Sequence, residues 1–274
     1  MLAHIRVARV LIMIVLIFGL AFAQELPKVR PFLNSLYDNE ATSVLNGEVL
    51  ETQLFPPRKQ ADQILGELPL LPLMIPELID ANFRLRLEDG QKIAGRETYK
   101  LSLEPKNKIA PRWTFWVDRE WHTRLAFEET DFAGNVTAKA QFVGIKGAPV
   151  PREKRKGRRA QLKPELEKNV MTALKGLSLP EGFRVLGAQI KDANPQRRLE
   201  VRASNGLSVI ALVFAPNQTK AGPKLAVRNL NGAWVWVIAN LPKADLERVA
   251  NSINGPINVP ELIQRLGLPE PQAK

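Results

Sequence analysis

The sequence predicts a β-rich α+β protein. Strict alternation of apolar and polar residues over 81–143 predicts an antiparallel meander, and a second set of strand and helix patterns follows from residue 164. A stretch rich in proline, lysine and arginine over 146–163 separates the two. We therefore expect a first domain at 24–145, a basic linker at 146–163 and a smaller α+β domain at 164–274.

The meander is the clearest pattern in the chain. Its inward positions recur at period two, with charged or polar residues between them and turn residues such as Asp89-Gly90 between the segments. The apolar positions are Phe83, Leu85, Leu87, Tyr99, Leu101, Leu103, Trp113, Phe115, Val117, Leu125, Phe127, Val136, Ala138, Ala140 and Phe142. One apolar and one polar face indicate a sheet that is covered on one side.

The region before the meander carries weaker signals. One or two helical turns are expected within 26–39 after Pro31, and 42–55 is a candidate strand pair broken at Asn46-Gly47. Residues 61–71 have helical spacing, with Ile64, Leu65 and Leu68 on one face.

The second domain should hold a helix at 164–174, strands at 184–190, 198–203, 207–214 and 233–239, and helices at 244–253 and 258–266. Asn205-Gly206 predicts a hairpin between two of these strands. Trp234 and Trp236 share a strand face, and we expect them to fill the core.

The first 23 residues are typical of a cleavable export signal. Arg6 and Arg9 precede a continuous apolar run over 10–20, and Ala21-Phe22-Ala23 is a small-x-small cleavage site. The apolar run to Ala23 is shorter than the roughly 20 residues that span a membrane. The mature chain is therefore expected to be periplasmic or otherwise extracytoplasmic, and soluble.

Composition narrows the classes of partner. The chain has no cysteine, so neither a disulfide nor a lipid-anchoring cysteine is possible. Removing Arg6 and Arg9 lowers the formal charge from +11 to +9. That charge favours anionic partners such as lipid head groups, lipopolysaccharide or an acidic protein face, although it also serves solubility alone. Nucleic acid is not expected outside the cytoplasm.

Catalytic and metal-binding patterns are weak. His122 is the single histidine of the mature chain, and we expect it to be a solvated turn residue. No Gly-x-Ser-x-Gly elbow, phosphate-binding glycine loop or set of metal ligands is present in the sequence. Carboxylates at strand ends, including Asp118, Glu129 and Asp131, are expected to form a solvated rim. We therefore expect a binding protein rather than an enzyme, with no cofactor and no metal.

Two sets of residues are candidates for binding. The apolar face of the meander either fills the core or stays partly open for an acyl chain or an apolar peptide, since ligand sites are concave and mostly apolar. Its candidate residues are Phe83, Leu85, Tyr99, Leu101, Trp113, Phe115, Leu125 and Phe127. The basic run is either a solvated linker or a contact for an anionic partner. Its candidate residues are Arg152, Lys154, Arg155, Lys156, Arg158 and Arg159.

Several phrases in both halves resemble the MucB/RseB family of periplasmic sigma-factor regulators. In the first half they are IAGRETYKL at 93–101, WTFWVD at 113–118, TRL at 123–125, DFAGN at 131–135 and QFV at 141–143. In the second half they are LPEGF at 179–183, SNGLSV at 204–209 and the segment that begins with NLP at 240–242. The resemblance covers roughly two thirds of the mature chain, in the family's order.

The resemblance implies an unclosed β-barrel wrapped on a helix, similar to lipoprotein carrier proteins, followed by a smaller α+β domain. It also implies a regulator that binds the periplasmic part of a membrane anti-sigma factor and senses envelope state through lipopolysaccharide or lipoprotein. The alternative function is a periplasmic carrier of lipid or of lipoprotein acyl chains.

Overall fold

A computed structural model of the chain describes residues 26–70, 74–152, 162–193 and 196–268. We refer to 26–152 as the first unit and to 162–268 as the second unit, because the buried apolar residues form two main clusters that divide in this way, with Ala110 and Leu207 as the exceptions. The elements of the first unit are α1 (Val29–Thr42), β1 (Ser43–Val44), β2 (Gly47–Gln53), β3 (Asp62–Leu65), α2 (Pro76–Asn82), β4 (Phe83–Asp89), β5 (Thr98–Pro105), β6 (Arg112–Asp118), β7 (Arg124–Thr130), β8 (Val136–Ile145) and β9 (Val150–Pro151).

Seven strands of the first unit form one antiparallel sheet in the order β3-β2-β8-β7-β6-β5-β4. The predicted meander is confirmed as β4 to β8, each strand pairing with the next. Among the described strands β3 and β4 are edges that do not pair with each other, so the sheet is not closed into a barrel. The predicted fold class, an unclosed antiparallel sheet with a helix and then a smaller α+β unit, is confirmed.

Helix α1 packs on the apolar side of this sheet. Phe32, Leu33 and Leu36 are each at most 2% exposed and belong to the same buried cluster as the inward residues of β4 to β8. Pro31 lies in the first turn of α1, where a backbone N–H has no helical partner to lose. Because Pro31 does not interrupt the helix, α1 extends over 14 residues and is longer than the one or two turns that the sequence predicts.

Two predictions before the meander are wrong. The helix predicted over 61–71 does not form at the described residues 61–70, because Ile64 and Leu65 belong to β3 and pair with Leu50 and Val49 of β2. The expected strand pair around Asn46-Gly47 does not form either. Instead β1 pairs with β9, and β2 pairs with β3 and β8. Long-range strand pairing outweighs the local pattern in both segments.

The second unit is a five-stranded antiparallel sheet with helices against one face. Its elements are α3 (Pro164–Ala173), β10 (Arg184–Ala193), β11 (Gln196–Ser204), β12 (Val209–Ala215), β13 (Leu225–Asn229), β14 (Trp234–Ile238), α4 (Lys243–Ser252) and α5 (Val259–Arg265). The strand order is β10-β11-β12-β14-β13. The hairpin at Asn205-Gly206 is confirmed between β11 and β12. Strand β13 was not predicted; it is a five-residue edge strand.

The core prediction for Trp234 and Trp236 is wrong. Val235 and Val237, both 0% exposed, are the residues of β14 that face the helices, so the two tryptophans point to the opposite face of the sheet. Both tryptophans are only partly buried. A strand with apolar residues at every position cannot be oriented from alternation alone.

The hairpin of the second unit inserts into the first unit. Leu207, at the turn, is 3% exposed and belongs to the apolar cluster of the first unit. The backbone N–H of Ile75 donates to the Gly206 carbonyl at 3.1 Å, and Asn82 Nδ2 donates to the Asn205 carbonyl at 3.0 Å. The cores of the two units are therefore joined by direct packing, which we call the seam.

Gly206 allows this close approach. It has φ +113°, and a Cβ at this position would lie 2.7 Å from the backbone nitrogen of Ile79. Gly255 is a matched comparison, because its φ is +82° but a Cβ there would meet nothing within 4 Å.

We predict that Gly206→Ala destabilises the chain more than Gly255→Ala. Both substitutions force a side chain into left-handed backbone, at roughly 1–2 kcal/mol. Gly206→Ala also overlaps the backbone of α2, which adds about 1–3 kcal/mol, the range for overpacked sites. Urea denaturation of both variants measures the difference. Equal losses would show that the hairpin does not pack against α2 in solution.

Candidate binding site at the seam

A buried hydrogen-bonded node crosses the seam beside the hairpin. Glu129 of β7 and Thr137 of β8 come from the first unit, and Asn240, two residues after β14, comes from the second. Asn240 Nδ2 donates to Glu129 Oε1 at 3.1 Å and to Thr137 Oγ1 at 2.8 Å, while Thr137 Oγ1 donates to Glu129 Oε2 at 3.0 Å. All three residues are at most 7% exposed.

The environment of Glu129 disfavours its charged form. Burial raises the pKa of this carboxyl above its ordinary value, and the nearby Asp131 raises it further. Hydrogen bonds from Asn240 and Thr137, with the positive charge of Lys224, oppose the rise without cancelling it. Lys224 of the second unit also forms an ion pair with Asp131 of the first, at 3.5 Å.

Polar atoms at the seam are incompletely paired. Within the described ranges, four buried side-chain atoms at this contact have no hydrogen-bond partner: Trp113 Nε1, Asn205 Nδ2, Ser208 Oγ and Asn240 Oδ1. Three of these residues, Trp113, Ser208 and Asn240, line a cavity at the seam.

A cavity of about 340 Å³ lies at the seam and is lined by both units. Its apolar wall includes Trp113 and Phe127 from the first unit and Leu207 and Val209 from the second. Glu51, which is 4% exposed, also lines it, and its carboxylate pairs with Arg58 at 2.7 Å. An apolar wall with one ion pair suits a small apolar group or chain that carries a polar end.

A larger groove of about 950 Å³ borders α5 and is lined by the second unit alone. None of the residues that the sequence marked as binding candidates contributes to it.

The structure separates the predicted apolar binding residues into two groups. Trp113 and Phe127 line the seam cavity. The other candidates pack in the first core, where the ring of Tyr99 contacts Phe32 of α1 edge-on at 5.5 Å. Of these others all but the partly buried Leu85 are at most 4% exposed: Phe83, Tyr99, Leu101, Phe115 and Leu125. A binding role for the eight residues stays a prediction.

One residue of the basic run can be placed. Arg152 is partly buried, donates to the carbonyl of Ser43 at 3.3 Å and lies 3.4 Å from the carboxylate of Glu67. The other five candidates, Lys154, Arg155, Lys156, Arg158 and Arg159, fall outside the described residues. The linker and its anionic contact stay predictions.

Two predictions about polar residues are wrong. His122 is not a solvated turn residue, since it is partly buried, its Nδ1 lies 3.1 Å from Ser35 Oγ, and its ring packs on Phe32. Asp118, Glu129 and Asp131 do not form a solvated rim, because all three are at most 7% exposed, and Glu129 belongs to the seam node. Period two does place Glu129 on the inward face with Leu125 and Phe127, and that signal could have identified it.

Two other features are absent from the described residues. No group of three or more His, Asp or Glu side chains is arranged to hold a metal ion there. Within the same ranges, no helix is long and apolar enough to cross a membrane.

Solved structures share this fold. A crystal structure of MucB in complex with MucA(peri) superposes with a TM-score of 0.59 at 16% identity, covering 84% of this chain and 100% of that chain. MucB alone gives 0.58 at 18% identity over 82% and 97% of the two chains. The MucA/MucB complex of Pseudomonas aeruginosa gives 0.60 at 16% identity over 85% and 100%. No family model and no curated protein matches the sequence.

We predict that Glu129→Gln makes the chain more stable at neutral pH than the wild type. Because the pKa of Glu129 is raised by folding, the folded chain binds this proton more tightly than the unfolded chain, and stability is lost as pH rises above the ordinary value of 4.5. The gain from Glu129→Gln should therefore shrink as pH falls toward 4.5.

Urea unfolding at several pH values measures this gain. Glu104→Gln, which removes the same charge from an exposed position on β5, is the control and should show no comparable gain. A gain that is absent, or that does not change with pH, would contradict the buried placement of Glu129.

Proposed function

We propose that this chain is a periplasmic regulatory binding protein that holds the periplasmic part of a membrane anti-sigma factor and responds to the state of the envelope. The observation that carries the proposal is the shared fold with MucB, which extends over 97–100% of the MucB chains. The shared region covers at least 82% of this chain, which is more than either unit alone. MucB has been crystallised with MucA(peri), and the sequence resemblance implies the same class of partner.

The two-unit architecture supports a binding role. A simple acyl-chain carrier requires only the first unit, whereas a second unit held against it by the hairpin and the Glu129 node adds surface for a protein partner. The seam also provides a means of response, since a ligand that binds one arrangement of the two units more tightly shifts the population toward that arrangement.

Export is part of the proposal. Residues 1–23, the predicted signal peptide, lie outside the described residues, so cleavage and periplasmic location rest on the sequence pattern. The basic run would then face anionic lipid or an acidic partner at the membrane surface.

A carrier of lipid or lipoprotein acyl chains is the second candidate function. The seam cavity favours it, because the cavity is lined by Trp113, Phe127 and Leu207 and has a charged pair on its wall. An acyl chain gains roughly 0.8 kcal/mol for each buried methylene, so a cavity of this size could hold a short segment of one.

We predict that the mature chain, residues 24–274, binds the periplasmic part of a membrane anti-sigma factor from its own organism in a saturable complex. Isothermal titration calorimetry with the purified periplasmic part measures the affinity. Replacing Arg155, Lys156, Arg158 and Arg159 by glutamine should weaken binding and reduce its salt dependence.

The control replaces four exposed lysines elsewhere, Lys108, Lys139, Lys168 and Lys175, by glutamine and should bind like the wild type. Absence of any complex, with acyl chains detected by mass spectrometry in the purified protein, would contradict the regulator and favour the carrier. A complex unaffected by either set of substitutions would exclude the basic run as a contact.

A further inference from the structure

Within the described residues, the helices of the second unit cover only one face of its sheet. Its helix-side residues, such as Leu212 and Val237, are fully buried in the second core. The opposite face, which we call the outer face, carries seven apolar side chains from β12, β13 and β14: Ala211, Val213, Leu225, Val227, Trp234, Trp236 and Ile238. In the described part of the chain none of the seven is among the residues of a buried apolar cluster or packed against one.

The outer face is continuous across three strands. Val213 pairs with Trp236, and Trp236 pairs in turn with Val227. In the neighbouring row Ala211 pairs with Ile238, and Ile238 with Leu225. Neighbouring strands lie about 4.8 Å apart, so the band formed by the three strands is roughly 10 Å across, the diameter of one α-helix that runs parallel to the strands. Apolar patches of this extent with a polar rim mark interaction sites.

Positive charge borders the outer face on the β10–β11 side. Lys191, Arg198 and Arg202 lie there with one acid, Glu200, which forms ion pairs with Lys191 and Arg202. The Arg198 guanidinium stacks over the Trp236 ring at 4.8 Å, which places a cation against the middle residue of one apolar row. Three cations against one acid leave this border positive.

These features select among possible occupants. A second copy of the chain would carry the same positive border and the same overall charge, +11 before signal removal, so like charges would approach each other. A bilayer requires protruding side chains, but none of the seven is among the strongly exposed large apolar residues of the described chain. A band of this width suits a rod that lies parallel to the strands.

A partner segment that covers this face must also pair its own backbone N–H and C=O groups in hydrogen bonds. A sheet face offers side chains but no free N–H or C=O groups, because those are paired within the sheet. An α-helix pairs its interior backbone groups in hydrogen bonds within itself, and an amphipathic helix presents a single apolar stripe.

We propose that the outer face of the second sheet is a docking surface for an acidic amphipathic helix of a partner protein. The apolar stripe of the helix lies on the rows of Val213, Trp236 and Val227, and its acidic residues meet Arg198, Arg202 and Lys191. Only the identity of that partner rests on the proposed function; the surface itself is defined by the residues of β11 to β14.

The test uses a designed probe, so that it does not depend on knowing the natural partner. The probe is a fluorescein-labelled helical peptide of about 18 residues, roughly five turns, with leucine along one face and glutamate elsewhere. Its counterpart carries lysine in place of every glutamate. Fluorescence anisotropy with the full mature chain measures both affinities, and the glutamate peptide should bind at least about tenfold more tightly.

Variants locate the surface. Val213→Glu places a charge under the bound helix and should weaken the glutamate peptide about tenfold or more. Val227→Glu on the edge strand serves as a second variant in case the first does not fold, with near-ultraviolet circular dichroism as the check on folding. Leu50→Glu on the first sheet, whose wild-type side chain is 49% exposed, is the control and should bind like the wild type.

Three results would overturn the proposal: no binding of the glutamate peptide, equal binding of the two peptides, or equal loss in Leu50→Glu and the outer-face variants. Binding of the chain to anionic vesicles that is lost in Val213→Glu would assign the face to lipid instead. If the peptide result holds while no anti-sigma factor binds, the surface stands and the proposed function fails. If an anti-sigma factor binds while the glutamate peptide does not, the docking surface is rejected and the proposed function stands.

Discussion

The contact between Glu129, Thr137 and Asn240 is the constraint on which the arrangement of the two units depends. It brings β7 and β8 of one sheet and the end of β14 of the other to a single buried point. The hairpin that carries Leu207 supplies the apolar part of the same contact, because it completes the core of the first unit. Both the seam cavity and the orientation of the second sheet follow from this junction.

The meander and most of the second unit could be predicted because their strands alternate polar and apolar residues, so each strand has only one orientation that buries its apolar face. The same argument fails where alternation is absent. Strand β14 is apolar at every position, and Trp234 was assigned to the core although Val235 occupies it. Residues 61–71 carry a helical pattern that pairing with β2 overrides.

The site was harder to predict than the fold for a physical reason. Glu129 and Asn240 are far apart in sequence, and nothing local indicates that an inward carboxyl will meet an amide from another unit. A glutamate at an inward position of a sheet still indicates a buried polar contact, since a buried charge requires partners. The tryptophans of β14 differ, because they belong to a contiguous apolar patch outside the core, and such a patch marks a candidate interaction surface.

Calorimetry tests most directly whether the seam joins the two units into one cooperative structure. Differential scanning calorimetry of the mature chain at neutral pH should give one transition whose calorimetric and van't Hoff enthalpies agree. This agreement is expected because Leu207 of the second unit is buried in the core of the first. Two resolved transitions in the wild-type chain would show that the units melt independently and would contradict the account.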